Sequence, residues 1–103
     1  MLSFVISNLL YPVSETSFCP SLAGSYDAVD DPYSTTKITI NGNSINGIFL
    51  TNGRENFNGE LTSLCKGSMT FPDWTVTYQF EYDEASCTIS WNNNTKWKKI
   101  VCS

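Results

Sequence analysis

The chain has 103 residues, a net charge of -4 and no histidine. Its length allows one domain. The acidic balance argues against nucleic acid as a partner, which calls for a basic surface, and the missing histidine removes the commonest general base and metal ligand.

The chain begins with an apolar run, Leu2 to Leu10. It is far shorter than the roughly 20 residues that cross a bilayer, so no membrane span is expected. The run fits the core of a signal peptide cleaved between Ser14 and Phe18, although no Lys or Arg precedes it. The alternative is a first strand. The expected organisation is a signal peptide or disordered N-terminus over 1–18 and a single all-β domain over 19–103.

From Cys19 the elements follow in short steps. Ala23 to Val29 reads as a strand, closed by Asp30-Asp31-Pro32, where proline restricts the residue before it. Thr35 to Ile40 is β-branched and alternating. Asn41-Gly42 is a hairpin signal, and Ser44 to Leu50 returns, with Gly47 as a candidate bulge. Phe57 to Leu64 and Ser68 to Phe71 are two weaker strands. Trp74 to Tyr82 is the clearest, with every even position apolar or aromatic and the later odd positions polar. Two more strands lie either side of Asn92-Asn93-Asn94 and end near Val101.

A four-residue loop at Asp83 to Ser86 sets Tyr82 opposite Cys87, Phe80 opposite Ile89 and Tyr78 opposite Trp91. A three-residue loop at Asn92 to Asn94 sets Ile89 opposite Trp97 and Cys87 opposite Lys99. Both loops put Trp74, Val76, Tyr78, Phe80, Tyr82, Cys87, Ile89, Trp91 and Trp97 on one face, which predicts a common core. About eight short strands with turn signals every eight to twelve residues or so predict a small all-β antiparallel meander barrel, with a β-sandwich as the alternative.

The four cysteines form no C-x-x-C pair, so a zinc site is not expected. Their even number and dispersal predict two disulfides and an extracellular, oxidising location. In a closed meander the first strand starts beside the end of the last. That favours Cys19 with Cys102 and Cys65 with Cys87, and makes a Cys87–Cys102 bond an argument against closure. Strict alternation puts Cys102 on the outer face, which counts against the first pair.

The segment Cys19-Pro20-Ser21-Leu22-Ala23-Gly24-Ser25-Tyr26, followed by Ile38-Thr39-Ile40 and Ile45-Asn46-Gly47, resembles the opening of the calycin barrels, the superfamily of avidins and lipocalins. Those proteins open with Gly-x-Trp, and many finish with a basic residue over the tryptophan. The resemblance implies a barrel in which Tyr26 stands at the tryptophan position and Lys98 or Lys99 is its basic partner. It implies no ligand residues, because strands this short leave an eight-stranded barrel room only for its own side chains.

The carboxylates gather as Asp27, Asp30 and Asp31 and as Glu81, Asp83 and Glu84. Such clusters serve glycoside hydrolysis or calcium binding, but here they read first as solvated turn residues. Lys96, Lys98 and Ile100 share an outer face with Thr88 and Ser90, read as solvated rather than as a contact for an acidic partner. No enzyme, cofactor or metal site is expected. The aromatic residues carry the functional expectation, since tryptophan and tyrosine on a rigid sheet make platforms for sugars or proteins. Trp74, Trp91, Tyr33 in a loop, and Asp73 are the candidate ligand-binding residues. Asn93-Asn94-Thr95 is an N-x-[ST] sequon, which makes Asn93 a candidate glycosylation site. The expected function is a secreted module that binds a small ligand or carbohydrate, and the alternative is an extracellular protein-interaction domain. Since parity assigns most of the aromatics to the core, function falls to the turns around Asp73, Asn92 to Asn94 and Asp83 to Ser86.

Overall fold

A computed structural model describes residues 19–51 and 53–102, and for Pro32 and Tyr33 the backbone alone. The expected signal peptide lies outside the described residues. Eight antiparallel strands form a closed meander barrel: β1 (Gly24–Ala28), β2 (Asp31–Asn41), β3 (Ser44–Phe49), β4 (Phe57–Ser63), β5 (Lys66–Phe71), β6 (Val76–Asp83), β7 (Thr88–Trp91) and β8 (Lys96–Lys99). Each strand pairs with its neighbours in sequence, and β1 pairs with β8 to close the ring. The closing ladder sets Tyr26 beside Lys99, Asp27 beside Lys98 and Ala28 beside Trp97. It is extended by hydrogen bonds from Val29 N to Lys96 O and from Ile100 N to Ser25 O, both 2.9 Å. A ring without edges leaves no unpaired strand to recruit another chain.

Alternation holds the core together. In β3 the inward residues are Ile45, Gly47 and Phe49, and in β5 they are Gly67, Met69 and Phe71. Gly47 is not a bulge, since its ladders to β2 and β4 run unbroken. It is glycine because a Cβ there would meet the Phe57 ring at 2.0 Å. The bulges fall instead at Asp27/Ala28 and at Leu61/Ser63. At the first, Asp27 pairs with Thr35 while Ala28 pairs with Asp31. Pro32 and Tyr33 thus sit in a strand yet outside its ladder to β1, where proline's missing N–H costs no bond. Tyr33 is therefore a strand residue rather than a loop residue.

The register of β7 against β8 is the expected one, with Ile89 opposite Trp97. That of β6 against β7 is offset by two residues, with Tyr82 opposite Ile89 and Phe80 opposite Trp91. The loop runs from Glu84 to Cys87, because Cys87 takes a left-handed backbone (φ 54°) and cannot open the strand. An offset of two keeps every side chain on its face, so Phe80, Tyr82, Ile89, Trp91 and Trp97 are all buried.

The barrel's two ends differ. One is stapled. All four cysteines lie there in disulfides, paired Cys19–Cys65 and Cys87–Cys102 rather than as expected. A short 3-10 turn, Pro20–Leu22, carries the chain over this end and delivers Cys19 to the β4–β5 turn instead of to the chain's finish. Cys102 then meets Cys87, because Lys99 N donates to Cys87 O and the chain turns back just beyond. Closure rests on the β1–β8 ladder and needs no disulfide, so the Cys87–Cys102 bond does not oppose it.

Leu22 plugs the stapled end, fully buried, and its carbonyl accepts the Tyr26 hydroxyl at 2.6 Å. Lys99, not Lys98, is the basic residue at this point. Its stem lies against Gly24, its ammonium sits 5.7 Å from the centre of the Tyr82 ring, and it donates to Ser21 O. Burial, followed by the neighbouring Tyr82, pushes the Tyr26 phenol far above its ordinary value. Above about pH 10 tyrosine ionises in the unfolded chain, whereas folded Tyr26 keeps its proton. The unfolded state then binds fewer protons, so this contribution is whole below that pH and is lost as pH rises, by up to about 1.4 kcal/mol per unit. Denaturant titrations on either side of about pH 10 should show the fall in wild type and a shallower one in Tyr26→Phe. Equal slopes would clear Tyr26 as its source.

Candidate functional site

The opposite end carries the aromatic residues. Phe71 closes β5, and Pro72–Trp74 form a second 3-10 turn. Thr75 ends that turn in a left-handed conformation (φ 48°), with its N–H bonded to Pro72 O at 3.1 Å. Strand β6 therefore starts at Val76, and Trp74 is rolled out of the face that parity assigned to it. It is 47% exposed. Val76 and Tyr78 are half-buried, and Phe80 and Tyr82 fully buried, so the greasy face of β6 rises out of the core toward this end.

Phe71 is the hub. Its ring stacks on Phe57 at 4.5 Å and lies 5.3 Å from Trp74, 5.6 Å from Trp91 and 6.0 Å from Tyr78. Trp91 meets Trp97 edge-on at 4.8 Å. Between these rings lies a pocket of about 90 Å³ walled by Phe71, Trp74, Tyr78, Trp91 and Trp97, with Asn93 and Thr95 on its lip. Trp91 is 5% exposed, and its indole Nε1 finds no hydrogen-bond partner among the described residues. Buried polar groups are nearly always satisfied, so this buried donor is an exception within the aromatic packing.

The lip belongs to the β7–β8 turn. Trp91 N donates to Thr95 O at 2.9 Å and Asn94 N to Trp91 O at 3.0 Å, and Asn94 takes the left-handed backbone (φ 70°) that asparagine tolerates. The side-chain Oδ1 of Asn93 accepts from Thr95 N at 3.0 Å, and the residue is exposed. On the other flank Arg54 reaches in from the β3–β4 loop. Its guanidinium lies 3.5 Å above the Trp74 ring and 4.9 Å from Phe49, a cation–π arrangement. Its Nε donates to Asp73 at 3.1 Å, and Glu55 N donates to the same carboxylate oxygen at 3.3 Å. Asp73 is thus engaged in holding Arg54 over Trp74.

Trp74, Trp91 and Asp73 therefore meet at one end, together with the turn Asn92 to Asn94. The Tyr33 side chain lies outside the described residues. The turn from Asp83 to Ser86 lies at the stapled end and contributes nothing here. Arg54, Tyr78 and Thr95 join the site unannounced, because only the closed barrel brings their elements together.

Three larger hollows are open grooves on the barrel surface, the smallest of them, of about 220 Å³, beside Val29, Asp30 and Asn94 to Lys96. One, of about 440 Å³, runs past Thr62, Lys66, Gln79, Phe80, Glu81 and Trp91, and another, of about 480 Å³, past Ala23 to Ser25 and Lys99 to Val101. In the first, Lys66 and Glu81 pair with each other at 3.8 Å, both well exposed. The sulfurs of Cys19 and Cys65 converge with the Glu84 carboxylate, but those sulfurs are spent in a disulfide and offer no thiolate to a metal. The clustered acids have local partners: Asp27 accepts from Thr35, Asp83 from Ser86, and Glu84 from Ser21.

Among the described residues no helix is long and apolar enough to cross a membrane. The fold and site define a small, disulfide-stapled, eight-stranded antiparallel barrel with one plugged end and one aromatic end. No family model matches this chain, and no curated protein or solved structure matches it either.

Proposed function

We propose that this chain is a secreted binding module that takes a small ligand or a carbohydrate at its aromatic end, and that it acts by binding rather than by catalysis. The observation that carries this reading is a half-exposed tryptophan, Trp74, beside an open pocket walled by aromatic rings. Open aromatic faces with a polar lip suit a ligand that has an apolar face and polar edges. The two disulfides are compatible with an oxidising, extracellular setting.

Tryptophan fluorescence titrated against a panel of mono- and disaccharides and small amphipathic compounds tests it. A saturable change is expected with at least one member, and Trp74→Ala should weaken it about tenfold or more at a cost in stability of only about 1 kcal/mol. Silence across the panel would move the function to an extracellular protein partner. The observation favouring that second reading is the exposed apolar pair Ile100 and Val101, 52% and 75% accessible beside the closing seam.

A further inference from the structure

We propose that Asn93 carries an N-linked glycan and that the first sugar of this glycan lies against Trp74, capping the aromatic end. That the cap closes a ligand site rests on the binding reading above, whereas the attachment and the place of the sugar do not.

Asn93-Asn94-Thr95 is the sole N-x-[ST] sequon in the chain. Asn93 stands exposed on the turn between β7 and β8, where a bulky group is tolerated. The turn is held through its side-chain Oδ1, which accepts from Thr95 N at 3.0 Å. An N-linked sugar hangs from the other side-chain atom, Nδ2, so attachment leaves that bond in place. The sugar donor is a lipid-linked diphosphate oligosaccharide. Transfer forms a bond from sugar C1 to Nδ2 and breaks the C1–O bond to the diphosphate. The lipid diphosphate and one amide proton leave.

Direction comes from the turn itself. Its three asparagines border three different hollows. Asn92 lies along the groove of Lys66 and Glu81, where its Oδ1 accepts from Gln79 N at 3.2 Å. Asn94 borders the hollow beside Val29 and Asp30. Asn93 alone of the three borders the pocket walled by Trp74, Tyr78 and Trp97. A sugar on Asn93 therefore starts at the rim of the aromatic end. Trp74 is 47% exposed there, and a pyranose has an apolar face that shelters such a ring from water. Between free molecules one such contact is weak. The covalent tether makes it intramolecular, at an effective concentration of about millimolar or higher. A contact too weak to hold a free monosaccharide thus holds an attached one.

The full chain, secreted behind a host leader from a glycosylating eukaryotic host, should carry one glycan. A peptide N-glycosidase should remove it, and Asn93→Gln and Thr95→Ala should each abolish it. With the glycan trimmed enzymatically to its first sugar, ring currents of the indole should move that sugar's proton signals upfield. Trp74→Ala, which keeps the sequon, should return them to the positions of a sugar in solvent. Acrylamide should quench the tryptophan fluorescence of the trimmed glycoprotein less than that of Asn93→Gln. Adding Trp74→Phe to Asn93→Gln should lower its quenching to the same level. The proposal is overturned if Asn93 is bare in the secreted protein. It is equally overturned if the sugar signals stay at their solvent positions and quenching matches Asn93→Gln. The ligand panel above, run on Asn93→Gln, tests the binding reading separately. Silence there removes the ligand site and leaves the glycan against Trp74, whereas a bare Asn93 removes the cap and leaves the ligand site.

Discussion

Replacing Cys19 and Cys65 together by serine should lower the unfolding free energy by about 4 kcal/mol, and replacing Cys87 and Cys102 by about 3 kcal/mol. The two bonds span 46 and 15 residues of sequence. Each restrains the unfolded chain according to the logarithm of the loop it closes, so the longer loop stabilises more. The native state points the same way. Cys19 is 1% exposed and anchors the turn that brings Leu22 over the barrel end, whereas Cys102 is exposed beyond the last strand. Domains of this size are stable by only about 5–15 kcal/mol, so losing the first bond should leave the barrel marginal. Guanidinium unfolding of the two double variants measures both effects. The reverse order would mean that the Cys87–Cys102 bond holds β8 in the seam, and that the plug over the other end adds little.

Why the pairing could not be read from the chain follows from the same geometry. Alternation reports which face a side chain takes, and it survives a register error of two residues. The offset between β6 and β7 therefore left the core intact while moving each partner. A disulfide depends on the path of the chain across a barrel end, and that path is set by the 3-10 turn Pro20–Leu22, which alternation does not describe. Lys99 is a similar case. A basic residue was expected near Tyr26, but only the β1–β8 register decides between Lys98 and Lys99.

The site was legible in part, for the same reason. Trp74 and Trp91 stood out as aromatics beside turns, and Asp73 as a turn residue. Parity alone buries Trp74, and the left-handed Thr75 exposes it. Nothing local marks Arg54, which lies 20 residues before Trp74 in sequence and 3.5 Å from its ring in space. The unpaired indole nitrogen of Trp91 is a property of packing and has no trace in the sequence.

The other large effect is expected at Phe71. Its side chain is 2% exposed and touches rings from five other strands and the rim: Phe49, Phe57, Tyr78, Trp91, Trp97 and Trp74. Truncation to alanine removes the transfer energy of a buried phenyl ring and leaves a cavity among side chains too rigid to collapse into it. A loss of about 3–5 kcal/mol follows. Trp74→Ala removes a larger ring, yet one that is 47% exposed and rests on Phe71 and Arg54 alone among its ring contacts. Its cost should stay near 1 kcal/mol, the scale of one cation–π contact and one aromatic pair. The two variants should therefore separate the roles of the aromatic end. Phe71→Ala should weaken the fold and the pocket together, and Phe71→Leu, which keeps much of the volume, should recover part of both. Trp74→Ala should cost far less stability than Phe71→Ala while weakening ligand binding about tenfold or more. Equal destabilisation by the two would mean that Trp74 belongs to the core after all, and the aromatic end would lose the most exposed ring among the described residues.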